Sequence, residues 1–414
     1  MEQLVDAFQS YSEGTVTSPA GFTAVAVAAG IKKENQLDLA LVVSASDCSC
    51  AAMFTKNQVV AAPVIVDRAT LAQNNSRLRA VVINSKNANA CTGEPGLANA
   101  RATQQAAAQA LGCAADQILV LSTGVIGVPL PMDRLTAGIA VAAKELSAAN
   151  GRLAAEAIMT TDTHPKHLAV RLDLPGGPVT IGGMAKGAGM IHPNMATMLA
   201  VLTTDAAVAP DVLDELLRTA VNRSFNRISI DGDTSTNDTI LLLANGASGT
   251  AVADPDSMAR FGEALNHLCT ALAHMIVRDG EGATKFVEIQ VTGANSDADA
   301  HQIANTIAIS PLVKTAFAGS DANWGRLLMA AGRAGVAFDQ SKINLWIGGQ
   351  QADELQLVAS GTPTAYQEKE AAAVFAQPAF KILLDVGSGG GGTAVVWTTD
   401  LTHEYVSINA DYRT

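Results

Sequence analysis

The chain alternates short apolar runs with longer stretches in which apolar residues recur at helical spacing. Ala80-Val81-Val82-Ile83 is one such run and opens into the polar residues 84–89; Ile118-Leu119-Val120-Leu121 is another. Runs of this length bounded by turn residues predict buried strands. Residues 97–111 are rich in alanine and glutamine, which predicts a helix. Residues 211–221 follow Pro210 and carry Val212, Leu213, Leu216, Leu217, Ala220 and Val221. That spacing predicts a helix with one buried face. Residues 256–277 repeat the pattern over a longer span, with Met258, Phe261, Leu265, Leu268, Leu272 and Ile276 on one side. Residues 286–291 alternate as a half-buried strand, and 343–347 and 355–358 are further strands. With no clean internal repeat and no long linker, the fold class is α/β (α+β mixed): sheets layered between helices, in two lobes.

Two turns in this pattern draw attention. The strand at 118–121 ends at Ser122-Thr123-Gly124, where glycine permits a sharp turn. Such a turn can aim two adjacent N–H groups at one point, or it can simply end a strand. The long helix ends at Arg278-Asp279-Gly280-Glu281-Gly282, which places Glu281 between glycines where the backbone can approach a ligand closely.

Composition narrows the function classes. The 414 residues are 48% hydrophobic and 16% charged, enough for more than one large core. A net charge of −12 argues against a nucleic-acid surface, which needs a basic patch, and against an anionic membrane. It is compatible with a cationic small substrate. Residues 1–11 carry Glu2 and Asp6 and lack a basic segment before an apolar one, so neither a secretory signal nor an Arg-rich transit peptide is expected. No apolar run has the length of a membrane span. Cys48, Cys50, Cys91, Cys113 and Cys269 are scattered and make no paired zinc motif. They suit reduced thiols in a cytoplasm.

Several tempting motifs are set aside. The stretch from Gly387 to Gly392 lacks the lysine and Ser/Thr of a nucleotide loop and reads as a tight turn. The acidic run from Asp231 has Thr236 and Leu242 where a calcium loop needs glycine and glutamate. Its polar side chains suit a structured turn instead. His164 and His167 are spaced for one helix face, have no acidic partner in register, and are expected at the surface. No metal site is expected.

The run from Lys186 to Leu199 places Thr197 after Ala196, beyond a glycine-rich, proline-containing segment. An internal threonine has no base of its own. A cut before it would expose an α-amine with a pKa of roughly 8, and that amine can take the proton of the neighbouring hydroxyl. From the pattern alone Thr197 reads first as a β-branched residue opening a buried strand at 197–202. His192 stands near it as an alternative acid or base.

Taken with its neighbours, the run carries a resemblance. Thr160-Thr161-Asp162-Thr163-His164-Pro165-Lys166, Gly182-Gly183-Met184-Ala185-Lys186-Gly187-Ala188-Gly189-Met190 and Ala196-Thr197-Met198-Leu199 resemble the ornithine acetyltransferase family, the bifunctional glutamate N-acetyltransferases. Asn87-Ala88-Asn89-Ala90-Cys91-Thr92-Gly93, Ser122-Thr123-Gly124, Ser224-Phe225-Asn226-Arg227, Asp231 to Asp238, Asp279 to Lys285, Gly319 to Arg326 and Ile408 to Thr414 are similar to the same family and occur in its order. The glycine-rich turn at 387–392 departs from the family pattern.

The resemblance implies self-cleavage between Ala196 and Thr197, giving an α chain of residues 1–196 and a β chain of 197–414, the latter with a C-terminal lobe from about 260. It implies an N-terminal-nucleophile type of active site and ping-pong transfer of acetyl from N-acetylornithine to glutamate through an ester on Thr197, in arginine biosynthesis. Thr123 and Gly124 match the family's oxyanion hole; Thr160, Lys186, Thr197, Glu281, Asn409 and Thr414 match its substrate contacts. It further implies a cytoplasmic heterotetramer of two α and two β chains, without cofactor, nucleic acid or membrane partner, and leaves acetyl-CoA open as a co-substrate. The alternative is a self-processing aminopeptidase or amidohydrolase of the same nucleophile type.

Overall fold

A computed structural model describes residues 8–33, 35–192, 198–349 and 354–411. The first strands are β1 (Phe8–Tyr11), β2 (Phe22–Val27), β3 (Leu39–Phe54), β4 (Leu78–Asn84), β5 (Ile118–Ser122), β6 (Lys166–Leu174), β7 (Gly177–Lys186) and β8 (Leu199–Thr204). They are followed by β9 (Ile228–Ser229) and β10 (Thr239–Ala244). A nine-stranded sheet runs β1-β6-β7-β8-β10-β3-β4-β5, with β2 paired to β3. Strands from either side of position 197 therefore interleave: β8 and β10 lie between β7 and β3 in the middle of the sheet.

That position explains why Leu199–Leu202 of β8 and Ile240–Ala244 of β10 are apolar on both faces of the pleat. Ala200, Leu202, Ile240 and Leu242 face one core, against Leu213, Leu217, Leu265 and Leu268. Leu199, Val201, Leu241 and Leu243 face another, with Val16, Ala154 and Ala155. A sheet covered on both faces needs continuous apolar strands. Truncating a residue such as Leu202 to alanine would cost about 2–5 kcal/mol.

Helices α1 (Ala62–Gln73), α2 (Gly93–Leu111), α3 (Met132–Ala142) and α4 (Gly151–Ala157) cover the β2-to-β5 side. Helices α5 (Pro210–Arg223) and α6 (Pro255–Arg278) pack together across the other core. Proline opens each at the position where its missing N–H costs nothing. Asp254 caps α6 by accepting from the Asp256 and Ser257 amides at 3.1 and 3.0 Å. Beyond the far end of α6, Asp279 meets Lys166 at the start of β6 and the Glu281 amide donates to the Ala188 carbonyl just past β7.

The second sheet has seven strands and its own core. It is built from β9, β11 (Phe286–Ala294), β12 (Asn344–Gly349), β13 (Leu355–Ala359), β14 (Thr362–Pro363), β15 (Ala379–Asp385) and β16 (Gly392–Thr399). α7 (Asp297–Ala308), α8 (Pro311–Ala318), α9 (Trp324–Gly332) and α10 (Glu368–Phe375) contribute to this lobe, and α11 (His403–Asp411) follows its last strand. The architecture is thus layered α/β with two sheets, as the periodicity predicts. Among the described residues, no helix is long and apolar enough to cross a membrane.

One expectation is corrected. His167 lies on strand β6, not on a helix, and is buried, with Nδ1 2.9 Å from the Gly14 carbonyl. His164 is exposed.

Candidate active site

The end of β5, the end of β7 and the starts of β8 and β10 converge. Lys186 on β7 pairs with Leu199 on β8, which pairs with Thr239 on β10. Asn237, just before β10, donates to the Ser122 carbonyl at 2.8 Å and to the Ala88 carbonyl at 2.7 Å. Beside this junction lies a cavity of about 240 Å³ whose wall includes Thr123, Gly124, Thr160, Lys186, Glu281 and Asn409. Pockets for drug-sized ligands occupy ~300–1,000 Å³, so this one suits a smaller molecule. Six of the sequence-predicted residues thus share one wall. Ala196, Thr197 and Thr414 lie outside the described residues. Covalently adjacent to Thr197, Met198 has its amide on Asp238 Oδ1 at 3.0 Å.

The turn after β5 differs in one respect from its expected form. The Thr123 N–H is not aimed at the cavity: it donates to the Asn84 carbonyl at 3.0 Å. The Thr123 side chain and Gly124 remain as cavity lining, so the donors on offer are a hydroxyl and one amide. Gly124 has φ +132°, and a Cβ there would sit 2.1 Å from the Lys86 carbonyl carbon. Only glycine brings its N–H so close to the 84–87 loop.

Lys186 is buried at the end of β7. Burial lowers its pKa, against the pull of Asp162, Glu281 and Asp238 and with a push from Lys166. Asp162 is the centre of this charge set. Its Oδ1 accepts from Lys166 Nζ at 2.7 Å and from the Gly187 amide at 2.6 Å; its Oδ2 accepts from the Thr160 amide at 3.0 Å. Burial alone would raise its pKa, but Lys186, Lys166 and these hydrogen bonds outweigh burial and hold it at about 2. Lys166 bridges on to Asp279 Oδ2 at 2.5 Å, and Asp279 also accepts from the Thr163 hydroxyl. One buried network thereby fixes the Thr160 loop, the start of the 187–192 loop and the end of α6.

Glu281 is held by its own amide, 2.8 Å from the Ala188 carbonyl, and by Asn409, whose Nδ2 donates to Oε2 at 2.7 Å. The flanking glycines have specific reasons. A Cβ on Gly282, at φ +67°, would lie 2.5 Å from the Tyr405 amide nitrogen; one on Gly189 would lie 2.4 Å from Glu281 Oε2. Gly282 lets α11 approach, and Gly189 leaves room for the carboxylate.

Pattern reading assigned Asp231 to a structured turn without a role of its own and missed Tyr405. Asp231 accepts from the Met190 amide at 2.5 Å and the Ile191 amide at 2.8 Å, and Tyr405 Oη donates to it at 3.2 Å. It ties the loop before position 193 to α11. Met190 itself holds φ +57°, unusual for a residue with a side chain. Burial raises the pKa of Asp231. His192 lies off the cavity wall, with Nδ1 3.3 Å from Ser229 Oγ, and burial lowers its pKa.

The arrangement offers two donors for an oxyanion, a buried cation, a carboxylate lining the same cavity and a helix closing one side. A model of the ArgJ family matches residues 23–414. The chain is 49% identical over 405 residues to the arginine biosynthesis bifunctional protein ArgJ of Symbiobacterium thermophilum, covering 97% of this chain and 99% of that relative. It is 48% identical over 398 residues to the protein of the same name from Geobacter sulfurreducens, covering 95% and 99%. Among solved structures, ornithine acetyltransferase complexed with ornithine, from Mycobacterium tuberculosis, is similar over 45% of this chain and 98% of its own, at 45% identity and TM-score 0.42.

Proposed function

This chain belongs to the ArgJ family, and we propose from that premise that it is a self-cleaving glutamate N-acetyltransferase of arginine biosynthesis. The donor is N-acetylornithine, the acceptor is glutamate, and the acetyl group is carried between them on the Thr197 hydroxyl. The observation that carries this reading is the single cavity wall shared by Thr123, Gly124, Thr160, Lys186, Glu281 and Asn409, which come from segments far apart in sequence.

The first stage is cleavage. The Thr197 hydroxyl attacks the Ala196 carbonyl, the Ala196–Thr197 amide breaks, and water hydrolyses the resulting ester. The α chain 1–196 and β chain 197–414 then share the first sheet, where β8 and β10 sit between β7 and β3. We expect two of each chain in a cytoplasmic heterotetramer.

The second stage is transfer. The free α-amine of Thr197 takes the hydroxyl proton as the oxygen adds to the acetyl carbon. The Thr123 hydroxyl and the Gly124 amide stabilise the developing oxyanion, a contribution worth roughly 3–4 kcal/mol per donor. Ornithine leaves with the proton, and glutamate reverses the sequence. Donor and acceptor share an α-carboxylate and an α-nitrogen, so one site serves both. Lys186 pairs with the carboxylate, Thr160 contacts the amino acid beside it, and Glu281 takes the ornithine side-chain ammonium. Asn409 and Thr414 close the C-terminal side. Since transfer between two amides is nearly balanced in energy, the chief demand is to keep water from the ester.

Incubating the protein with N-acetylornithine and labelled glutamate tests this: N-acetylglutamate should form only when both are present. Acetate release independent of glutamate would favour an N-terminal-nucleophile hydrolase instead. Substituting acetyl-CoA for the donor in the same assay decides whether it is a co-substrate.

A further inference from the structure

One pocket has to take two side chains of opposite charge. Ornithine ends in an ammonium and glutamate in a carboxylate, and the two polar ends stand equally many bonds from Cα. If Lys186 holds the α-carboxylate of each, both ends reach the same part of a cavity of about 240 Å³. Glu281, assigned above to the ammonium, lines that cavity, and so does Asp231. Two carboxylates suit an incoming ammonium and oppose a third carboxylate. A neighbouring group that answers either charge would resolve the conflict.

Asn409 is already committed. Its amide donates to Glu281 Oε2 at 2.7 Å and to the Tyr405 carbonyl at 3.0 Å, which uses both hydrogens. Tyr405, one helical turn earlier on α11, is different. It lines the same cavity, and its Oη donates to Asp231 Oδ2 at 3.2 Å. A phenol oxygen can accept as well as donate. Asp231 does not depend on that bond, because it also accepts from the Met190, Ile191 and Asp233 amides at 2.5, 2.8 and 3.3 Å. The phenol proton can therefore turn away and leave the carboxylate with three backbone donors.

We propose that Tyr405 lets the pocket read both amino acids: its hydroxyl accepts a hydrogen bond from the ornithine ammonium while donating to Asp231, and turns to donate to the side-chain carboxylate of glutamate. This deepens the reading of the site as one that binds N-acetylornithine and glutamate in turn, and it rests on that reading. The hydroxyl makes no covalent bond and gives up no proton. It only changes the direction in which its hydrogen points. Tyr405 is thus a substrate-binding residue whose part is to suit one wall to two charges.

The electrostatics agree. Burial, Asp231 and Glu281 all raise the Tyr405 pKa, so the hydroxyl keeps its proton beside either substrate. Burial also raises the pKa of Asp231, which eases the approach of another carboxylate.

The test is Tyr405→Phe in the full chain, which removes the hydroxyl and keeps the ring. Three constants are compared with wild type: the KM for glutamate, and the inhibition constants of ornithine and norvaline against N-acetylornithine. Norvaline has the same α-groups and carbon chain as ornithine but no terminal charge. Each constant is a concentration and does not depend on the fraction of active protein. The glutamate and ornithine constants should both rise roughly tenfold, the worth of one hydrogen bond to a charged group, and the norvaline constant should stay where it is. An equal rise for all three would make Tyr405 a structural residue and overturn the proposal. A rise for only one of the charged amino acids, or for neither, would also overturn it. If Phe does not give a folded chain, Tyr405→Met also lacks the hydroxyl and is read the same way. A wild type that moves no acetyl from N-acetylornithine to glutamate defeats the reading of the site itself; a wild type that does so, with equal rises in the variant, defeats only Tyr405.

Discussion

The Asn409 amide donates to Glu281 Oε2 at 2.7 Å, joining a helix with no buried residue to the carboxylate that faces the cavity. α11 is held by polar contacts of this kind, with Tyr405 on Asp231 and Thr402 on the Gly282 carbonyl. Hydrogen bonds to charged groups contribute about 1.5–3 kcal/mol. Asn409→Ala should therefore lower kcat/KM for N-acetylornithine by roughly ten- to a hundredfold, through KM more than kcat, while cleavage proceeds at its usual rate. Steady-state kinetics with intact mass checks both parts. An unchanged KM would remove Asn409 from substrate binding.

Thr123 and Gly124 should behave differently although they are neighbours. Thr123→Ala removes a donor and leaves the backbone alone, so cleavage and transfer should both slow by roughly 10²–10³, with melting temperature nearly constant. Thr123→Ser should recover much of the rate. Gly124→Ala drives a Cβ to 2.1 Å from Lys86 and should unfold the turn itself. Calorimetry beside a transfer assay separates the two effects; a cool-melting Thr123→Ala would point to a structural role.

Gly189→Ala isolates the Glu281 carboxylate. The new methyl would meet Glu281 Oε2 at 2.4 Å, the mobile end of a side chain rather than backbone. The fold should survive, the Glu281–Asn409 contact should break, and affinity for the cationic donor should fall more than affinity for glutamate. Equal losses for the two amino acids would contradict the placing of the ornithine ammonium at Glu281.

The Asp162 network predicts an acid limit to stability. Its carboxyl is held at about 2 in the fold, below the ordinary aspartate value of about 3.8. A depressed folded pKa contributes stability above the unfolded value and loses it as pH falls through the folded one. Stability should thus drop by about 2 kcal/mol between pH 4 and pH 2 on account of this group. Urea unfolding of wild type and Asp162→Asn at a series of pH values measures it: the gap between them should narrow over that window. A constant gap would mean Asp162 is not ionised against Lys166.

Much of this was legible in the sequence for a physical reason. Helices α5 and α6 bury one face each, so their apolar residues repeat at 3.6, and Pro210 and Pro255 mark where they begin. β8 and β10 are covered on both faces and carry the apolar runs 199–202 and 240–244. The six cavity-lining residues came from the order of motifs, which carries information that no single spacing holds. What stayed hidden depends on contacts distant in sequence. Nothing local shows that the Thr123 amide is taken by Asn84, or that His167 lies in a strand. Asp162, Asp231, Asp238 and Asp279 are ordinary acidic residues in a string of letters; only burial against particular amides and lysines sets them apart.

The bond between Ala196 and Thr197 is the centre of the account, and intact mass of the purified, working protein tests it most directly. Two chains should be found, ending at Ala196 and beginning at Thr197, and N-acetylornithine without glutamate should add one acetyl group to the second chain alone. Glutamate should then remove it. A single uncut chain that still transfers acetyl, or an adduct on the first chain, would contradict the account.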